Sequence, residues 1–144
     1  MTVTIEIATR VTDELVEGVN RLLPQLSASA APLTVLQVEA IIESPASTLF
    51  VARDGDRIVG VLTLVVFAIP SGVRAWIEDV VVEESFRGGG AGEALTRAAI
   101  EVARSRNVRS IGLTSRPSRV AANSLYVKLG FEARETNVFR ISLD

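Results

Sequence analysis

The chain has 144 residues and a mass of 15.4 kDa; 48% of it is hydrophobic and its mean hydropathy is +0.35. It contains neither histidine nor cysteine, which excludes zinc sites of the usual kind, thiol nucleophiles and every triad built on imidazole. A net charge of −2 argues against non-specific nucleic-acid binding, although seven of the fourteen arginines fall between Arg87 and Arg119 and allow a local anion site.

The length suits one domain spanning residues 1–144, able to bury roughly 68–70% of its unfolded surface. Thr2 to Glu6 lacks the charged start and apolar stretch of a signal peptide, so the expected address is cytoplasmic. The longest apolar run, Ile58 to Pro70, is shorter than the roughly 20 residues of a membrane helix and reads as a buried strand.

In chain order, Thr2 to Ala8 alternates polar residues with Val3, Ile5 and Ile7, the period of a half-buried strand. Thr12 is a plausible N-cap for a helix whose apolar stripe Leu15, Val16, Val19, Leu22 and Leu23 runs to Pro24. A Ser/Ala-rich loop, Gln25 to Pro32, precedes a second helix over Leu33 to Glu43. Ser47 to Arg53 and Arg57 to Ala68 are strands around an Asp54-Gly55-Asp56 turn, and after Ser71-Gly72 a further strand covers Val73 to Glu83.

Next comes SFRGGGAGE, residues 85 to 93, and then a helix over Glu93 to Asn107. Arg109 to Ser115 reads as a strand. Ser118 could cap a helix carrying Ala121, Ala122, Leu125 and Leu129, stopped at Gly130 by a left-handed residue. Phe131 to Arg134 and Val138 to Leu143 complete the expected elements as paired strands. The whole reads as one α/β domain.

A strand, bare backbone and a helix in succession point unpaired N–H groups and a positive helix end at an anion. The stretch is not a P-loop, because Glu93-Ala94 stand where lysine and serine or threonine are required, and G-x-G-x-x-G fails from either Gly88 or Gly90. What fits is R-x-x-G-x-G over Arg87, Gly88, Gly89, Gly90, Ala91 and Gly92. Before it lies Trp76-Ile77-Glu78-Asp79-Val80-Val81-Val82, and after it Asn123-Ser124-Leu125-Tyr126-Val127-Lys128-Leu129-Gly130-Phe131.

On these three segments the chain resembles the GNAT superfamily of acyl-CoA-dependent N-acyltransferases. The resemblance covers roughly residues 73 to 134. It departs from the family pattern at Ala91, where a larger aliphatic residue is more common, and at Gly89, where a polar or basic one is. It implies a GNAT fold: a central mixed, mostly antiparallel sheet of six to seven strands flanked by about four helices. It also implies acetyl-CoA as co-substrate, with no metal, and direct transfer of acetyl to a primary amine in a ternary complex.

Carried onto this sequence, the family pattern assigns the pyrophosphate to the N–H groups of Arg87 to Gly92. Arg87 adds charge, with Arg119 and Arg116 as further phosphate contacts. The pantetheine arm falls to main-chain groups of Val80, Val81 and Val82 and to Asn123, in a gap between the fourth and fifth strands. Tyr126, the only tyrosine, matches the general acid, and a phenol with an ordinary pKa near 10 is protonated at neutral pH.

Glu78 is the first candidate base and Asp79 the second; strand alternation sends the two to opposite faces. The acceptor side falls to about Leu23 to Leu33, which is nearly uncharged, and Arg134 to Val138, where Glu135 and Asn137 could meet an amine. A small-molecule amine, a peptide N-terminus and a lysine all remain open as acceptors. The resemblance names no membrane partner, and exposed strand edges near the C-terminus are compatible with a homodimer. A catalytically silent acyl-CoA-binding module is the alternative of different class.

Overall fold

The computed structural model describes residues 2–144, which fall into two compact units, the chain up to Leu113 and Thr114–Asp144. In the first unit the order is β1 (Thr4–Ile7), α1 (Asp13–Leu26), α2 (Val35–Glu43), β2 (Ser47–Asp54), β3 (Arg57–Ile69), β4 (Gly72–Val82), α3 (Ala91–Ser105) and β5 (Ser110–Gly112). The second unit carries α4 (Val120–Lys128). No helix among the described residues is long and apolar enough to cross a membrane.

The strands lie in the order β1-β2-β3-β4-β5, antiparallel up to β4 and parallel between β4 and β5, which α3 connects. The expected mixed, mostly antiparallel sheet is present with five strands, not six or seven. Phe131–Arg134 and Val138–Leu143 form no strands. Their alternation is real, but Val138, Phe139, Ile141 and Leu143 are 73–92% exposed, and without a ladder to accept its N–H and C=O groups an alternating segment stays extended and solvated.

Helices α1 and α2 cover one face of the sheet. Leu15, Val19 and Leu22 of α1 and Val38 of α2 pack with Leu49, Val51, Ile58, Val61 and Val81. On the other face lie Phe50 and Leu62, and α3 presents buried Leu95, Ala99 and Ala103 there; a Cβ on Gly60 would come within 3.2 Å of Leu95. Thr12 caps α1 by accepting the Leu15 N–H, as its position implies. The helix passes Pro24 and ends at Leu26, because the missing N–H forfeits one bond while Ser27 N–H still reaches Leu23 O. A capping box of Thr34 and Gln37 opens α2.

Two features of β4 position everything that follows. Val61 pairs with Val81 but Thr63 pairs with Glu78, so Asp79 and Val80 together oppose Leu62 in a β-bulge, with Asp79 at φ 49°. At the end of the strand, buried Glu83 is held by Arg57, Nε to Oε2 at 3.2 Å and a second nitrogen to Oε1 at 2.5 Å, with Arg21 at 3.7 Å and the Ser85 hydroxyl at 3.3 Å. The Arg57 guanidinium holds the Glu83 carboxyl below its ordinary pKa, burial opposing it more weakly.

A carboxyl depressed on folding contributes stability at pH values above its unfolded pKa and loses it as pH falls through the folded one. Glu83→Gln should therefore lower stability at neutral pH by about 1–2 kcal/mol, tempered by the solvent around Arg57, and the gap to the parent should close below about pH 4 in urea titrations. The bulge makes a second prediction. In an ordinary strand glycine is weaker than alanine, but at a left-handed position the order reverses, so Asp79→Gly should be more stable than Asp79→Ala by about 1 kcal/mol.

Candidate functional site

The glycine stretch follows Glu83. A 3₁₀ turn over Glu84–Phe86 leads to Arg87, and the chain then passes through Gly88 at φ 84° and Gly90 at φ 90° before entering α3 at Ala91. Both angles are left-handed, which is why glycine stands there, and a Cβ at either would meet nothing within 4 Å. The cradle is therefore open on the solvent side. No side chain caps the first turn of α3, whose N-cap is Gly90. Ala91, the first residue of α3, is buried.

This loop is bare but anchored. Glu84 N–H donates to Gln25 Oε1 at 2.9 Å, joining it to the end of α1, and Arg87 Nε donates to Val82 O at 3.1 Å. Arg87 thus spends one donor on the strand it leaves. Uncapped N–H groups at a helix start, fixed in place with no Cβ in the way, suit the oxygens of a phosphate or pyrophosphate.

Beside it, β5 pairs with β4 only through Arg74↔Ser110, Ala75↔Ile111 and Trp76↔Gly112. It stops there while β4 continues to Val82, so the edge of β4 that carries Val80, Val81 and Val82 has no strand partner on that side. A linear polar ligand could pair with that edge as an added strand does. Gly112 is required by contact, since a Cβ there would lie 2.3 Å from the Trp76 ring.

Glu78 and Asp79 do not take opposite faces as simple alternation predicts. Glu78 pairs with Thr63, and its Oε1 accepts the Trp76 indole N–H at 2.6 Å. The bulge then brings Asp79 to a cavity of about 60 Å³ on the same face, beside Thr63, Val61 and Val81. The helical walls are Val19, Leu23 and Leu26 of α1 and Val38 and Ile41 of α2; Leu33 and Leu49 complete the lining. Asp79 makes no hydrogen bond or ion pair among the described residues. The Leu33 backbone is fixed by Asn20, which accepts Leu33 N–H at 2.7 Å and donates to Leu33 O at 3.0 Å.

In the second unit α4 ends in a Schellman motif: Phe131 N–H bonds Tyr126 O at 2.9 Å, Gly130 N–H bonds Val127 O at 3.1 Å, and Gly130 has φ 103°. The Phe131 ring packs edge-on against the Tyr126 ring, centroids 5.7 Å apart. Tyr126 is buried, which pushes its phenol above the ordinary value, while the Arg119 charge pulls weakly the other way. Arg119, not Ser118, is the N-cap of α4 and caps with no side-chain bond. Asn123 donates its amide to Arg116 O at 3.1 Å, holding the approach to the helix.

Arg116 and Arg119 are exposed and their side chains make no hydrogen bond or ion pair among the described residues, whereas Arg97 and Arg104 pair within α3, Arg106 donates to Thr48 and Arg109 to Ser71 O. Glu135 and Asn137 lie in the exposed segment after α4. Sequence reasoning passed over Ser115, whose hydroxyl is buried without a partner, and over Gln25, Thr63 and the aliphatic cavity walls. Only the uncharged character of Leu23 to Leu33 hinted at the walls.

Comparison with known proteins places this geometry. N-alpha-acetyltransferase 30 of Schizosaccharomyces pombe is 31% identical over 96 residues, 66% of this chain and 63% of that protein. The chain spans 63%, 20% and 58% of the lengths of three curated relatives it matches. Among solved structures, a Bacillus halodurans protein described as a transcriptional regulator is 31% identical, with a TM-score of 0.81 over 98% of this chain and 100% of that one. A Trypanosoma brucei acetyltransferase is 27% identical, with a TM-score of 0.79 over 99% of this chain and 100% of the other. The pattern of the Acetyltransferase (GNAT) family matches residues 17–131, and the chain belongs to that family.

Proposed function

We propose that the protein transfers the acetyl group of acetyl-CoA to a primary amine by direct attack. The observation that carries this reading is the anchored, uncapped glycine cradle at the start of α3, set beside a β4 edge that β5 leaves unpaired. The residues present fit the group: Gly88 and Gly90 leave open space where any Cβ would intrude on a phosphate. Main-chain N–H groups of Gly88, Gly90, Ala91 and Gly92 hold the pyrophosphate, those of Arg87 and Gly89 being already bonded to Glu84 O and Phe86 O; the exposed guanidinium groups of Arg116 and Arg119 add charge, and the backbone of Val80, Val81 and Val82 pairs with the pantetheine arm. Asn123, tied to Arg116 O, shapes the approach to α4. Acetyl-CoA supplies the activated acetyl thioester.

The chain's own groups manage the protons. An amine that attacks a carbonyl becomes cationic and must lose a proton; the Asp79 carboxylate accepts it directly or through water. Its place on the cavity favours it over Glu78, whose Oε1 is engaged by Trp76 and which remains the second candidate. The bulge leaves Val80 without a register partner on β3, and its main chain is the group offered to the carbonyl oxygen where negative charge develops. Tyr126 gives its proton to the departing thiolate. Because burial raises its pKa, it stays protonated through the neutral range.

The reading is tested by calorimetry with acetyl-CoA, ATP and NAD as separate titrants. Acetyl-CoA alone should bind, and Gly90→Asp, which puts a carboxylate into the cradle at a left-handed position, should abolish binding; a folded parent that ignores acetyl-CoA refutes the proposal. Tyr126→Phe should cut turnover by about 10²–10⁴ with acetyl-CoA affinity preserved. In the parent, the alkaline limb of activity should lie above the ordinary tyrosine value of about 10, and the variant should lose that limb. Turnover unchanged in Tyr126→Phe would leave the phenol without a chemical role and favour the acyl-CoA-binding alternative only if the parent is itself inactive.

A further inference from the structure

The cavity at the bulge carries an inference about the acceptor, one that rests on the acetyltransferase reading. Nine of the eleven residues lining it are aliphatic and the other two are Thr63 and Asp79. No cation lines it. Its inner wall is rigid sheet and helix, with Val38 1% and Val61 5% exposed, and half-buried Leu33 in its lining has its backbone fixed from both sides by Asn20. The one charge it offers is the unpaired carboxylate of Asp79, at the bulge.

From this chemistry we infer that the acceptor is a small primary amine bearing a compact branched aliphatic group, bound with its ammonium at Asp79 and its hydrocarbon between the sheet and helices α1 and α2. Charge complementarity places the nitrogen: an ammonium is the only ionic group the lining can compensate, and once it has lost a first proton to solvent, the neutral amine stands next to the carboxylate that takes the second proton after attack. Size limits the rest. The cavity, about 60 Å³, is well below the ~150 Å³ apolar cavity that accepts benzene, so the branched end of a chain, about two or three carbons at that scale, fits and an aromatic ring does not. Each methylene moved out of water should raise affinity about fourfold.

The same lining rejects other amines. A phosphate or carboxylate on the acceptor would be desolvated with no cation to meet it, and a sugar would leave most of its hydroxyls without partners, since Thr63 and Asp79 are the only polar side chains on the walls. A polyamine would bring a second charge into the hydrocarbon.

The test compares isopentylamine, 2-phenylethylamine, spermidine and glucosamine 6-phosphate as acceptors for the full chain, reading thiol release from acetyl-CoA, with acetyl-CoA affinity measured separately by calorimetry. Isopentylamine should have a kcat/KM at least about 10-fold above each of the others. Leu33→Arg, at a half-buried place in the lining, should lower isopentylamine turnover and raise that of glucosamine 6-phosphate with acetyl-CoA affinity unchanged, whereas Leu33→Met should keep the parent's ranking. If acetyl-CoA binds and another amine is preferred, or isopentylamine is not acetylated, the acceptor assignment is overturned while the acetyltransferase reading stands. If acetyl-CoA does not bind the folded chain, that reading falls and the assignment falls with it.

Discussion

One extra residue in β4 sets the terms for the rest of the first unit. Where two residues of β3 advance from Val61 to Thr63, three of β4 pass from Val81 back to Glu78, and the surplus is absorbed by Asp79 at a left-handed φ. A non-glycine residue there costs about 1–2 kcal/mol and persists only because the surroundings over-determine it. Here the surroundings are a long ladder on one side, from Ile69↔Gly72 to Thr63↔Glu78, and a short one on the other, Val61↔Val81 and Gly60↔Val82. Neither can slip without turning buried Ile77 or Val81 toward the wrong layer. The strain therefore stays at one residue, and that residue is the carboxylate at the cavity.

Around the bulge the fold leaves backbone edges open in two places, although Gly89 N–H is bonded to Phe86 O, and fixes their flanks. β5 stops at Gly112, and the loop from Gly88 to Gly90 bears no side chains at all. A loop so bare would ordinarily sample many conformations, since glycine restricts nothing. Its near end is held by the Arg57 and Arg21 contacts to Glu83, by Gln25 to Glu84 and by Arg87 to Val82. Its far end is the first turn of α3, seated on the sheet by Ala91 and Leu95, which are 1% and 0% exposed. Fixing the flanks removes from ligand binding much of the ordering cost that flexible glycines would otherwise impose.

Much of this was legible in the sequence because it is written locally. Periodicity marks α1, α3 and the hairpin strands; the Asp54-Gly55 turn, the Thr12 cap and the Gly130 stop each follow from one residue's conformational preference, and φ 59° at Gly55 and 103° at Gly130 agree. The motif ending in Leu129-Gly130-Phe131 has a local cause too, since the Schellman turn returns Phe131 to the ring of Tyr126. What stayed hidden depends on partners far along the chain. A bulge exists only against a neighbouring strand, so alternation alone assigned Glu78 and Asp79 to opposite faces. The residues 131–144 alternate like a strand, but a strand also needs an edge, and nothing in the pattern says whether one is supplied. Val19, Ile41 and Leu49 read as plain core; they are core, and they also line a cavity.

The absence of histidine gives the proposed chemistry a particular economy of protons. An imidazole can both take and give a proton near neutral pH; a chain without one must divide the two tasks between groups of different kind. A carboxylate is a group suited to accept, and the Tyr126 phenol, its pKa raised by burial, holds its proton until the thiolate departs. The division has a consequence for the cycle. A phenolate formed in a setting that disfavours its charge regains a proton readily from solvent, so the same burial that makes Tyr126 a reluctant acid at the moment of thiolate departure restores it for the next turnover. The departing thiolate, not the amine, is then the group whose basicity decides whether the phenol need transfer fully or only donate a hydrogen bond.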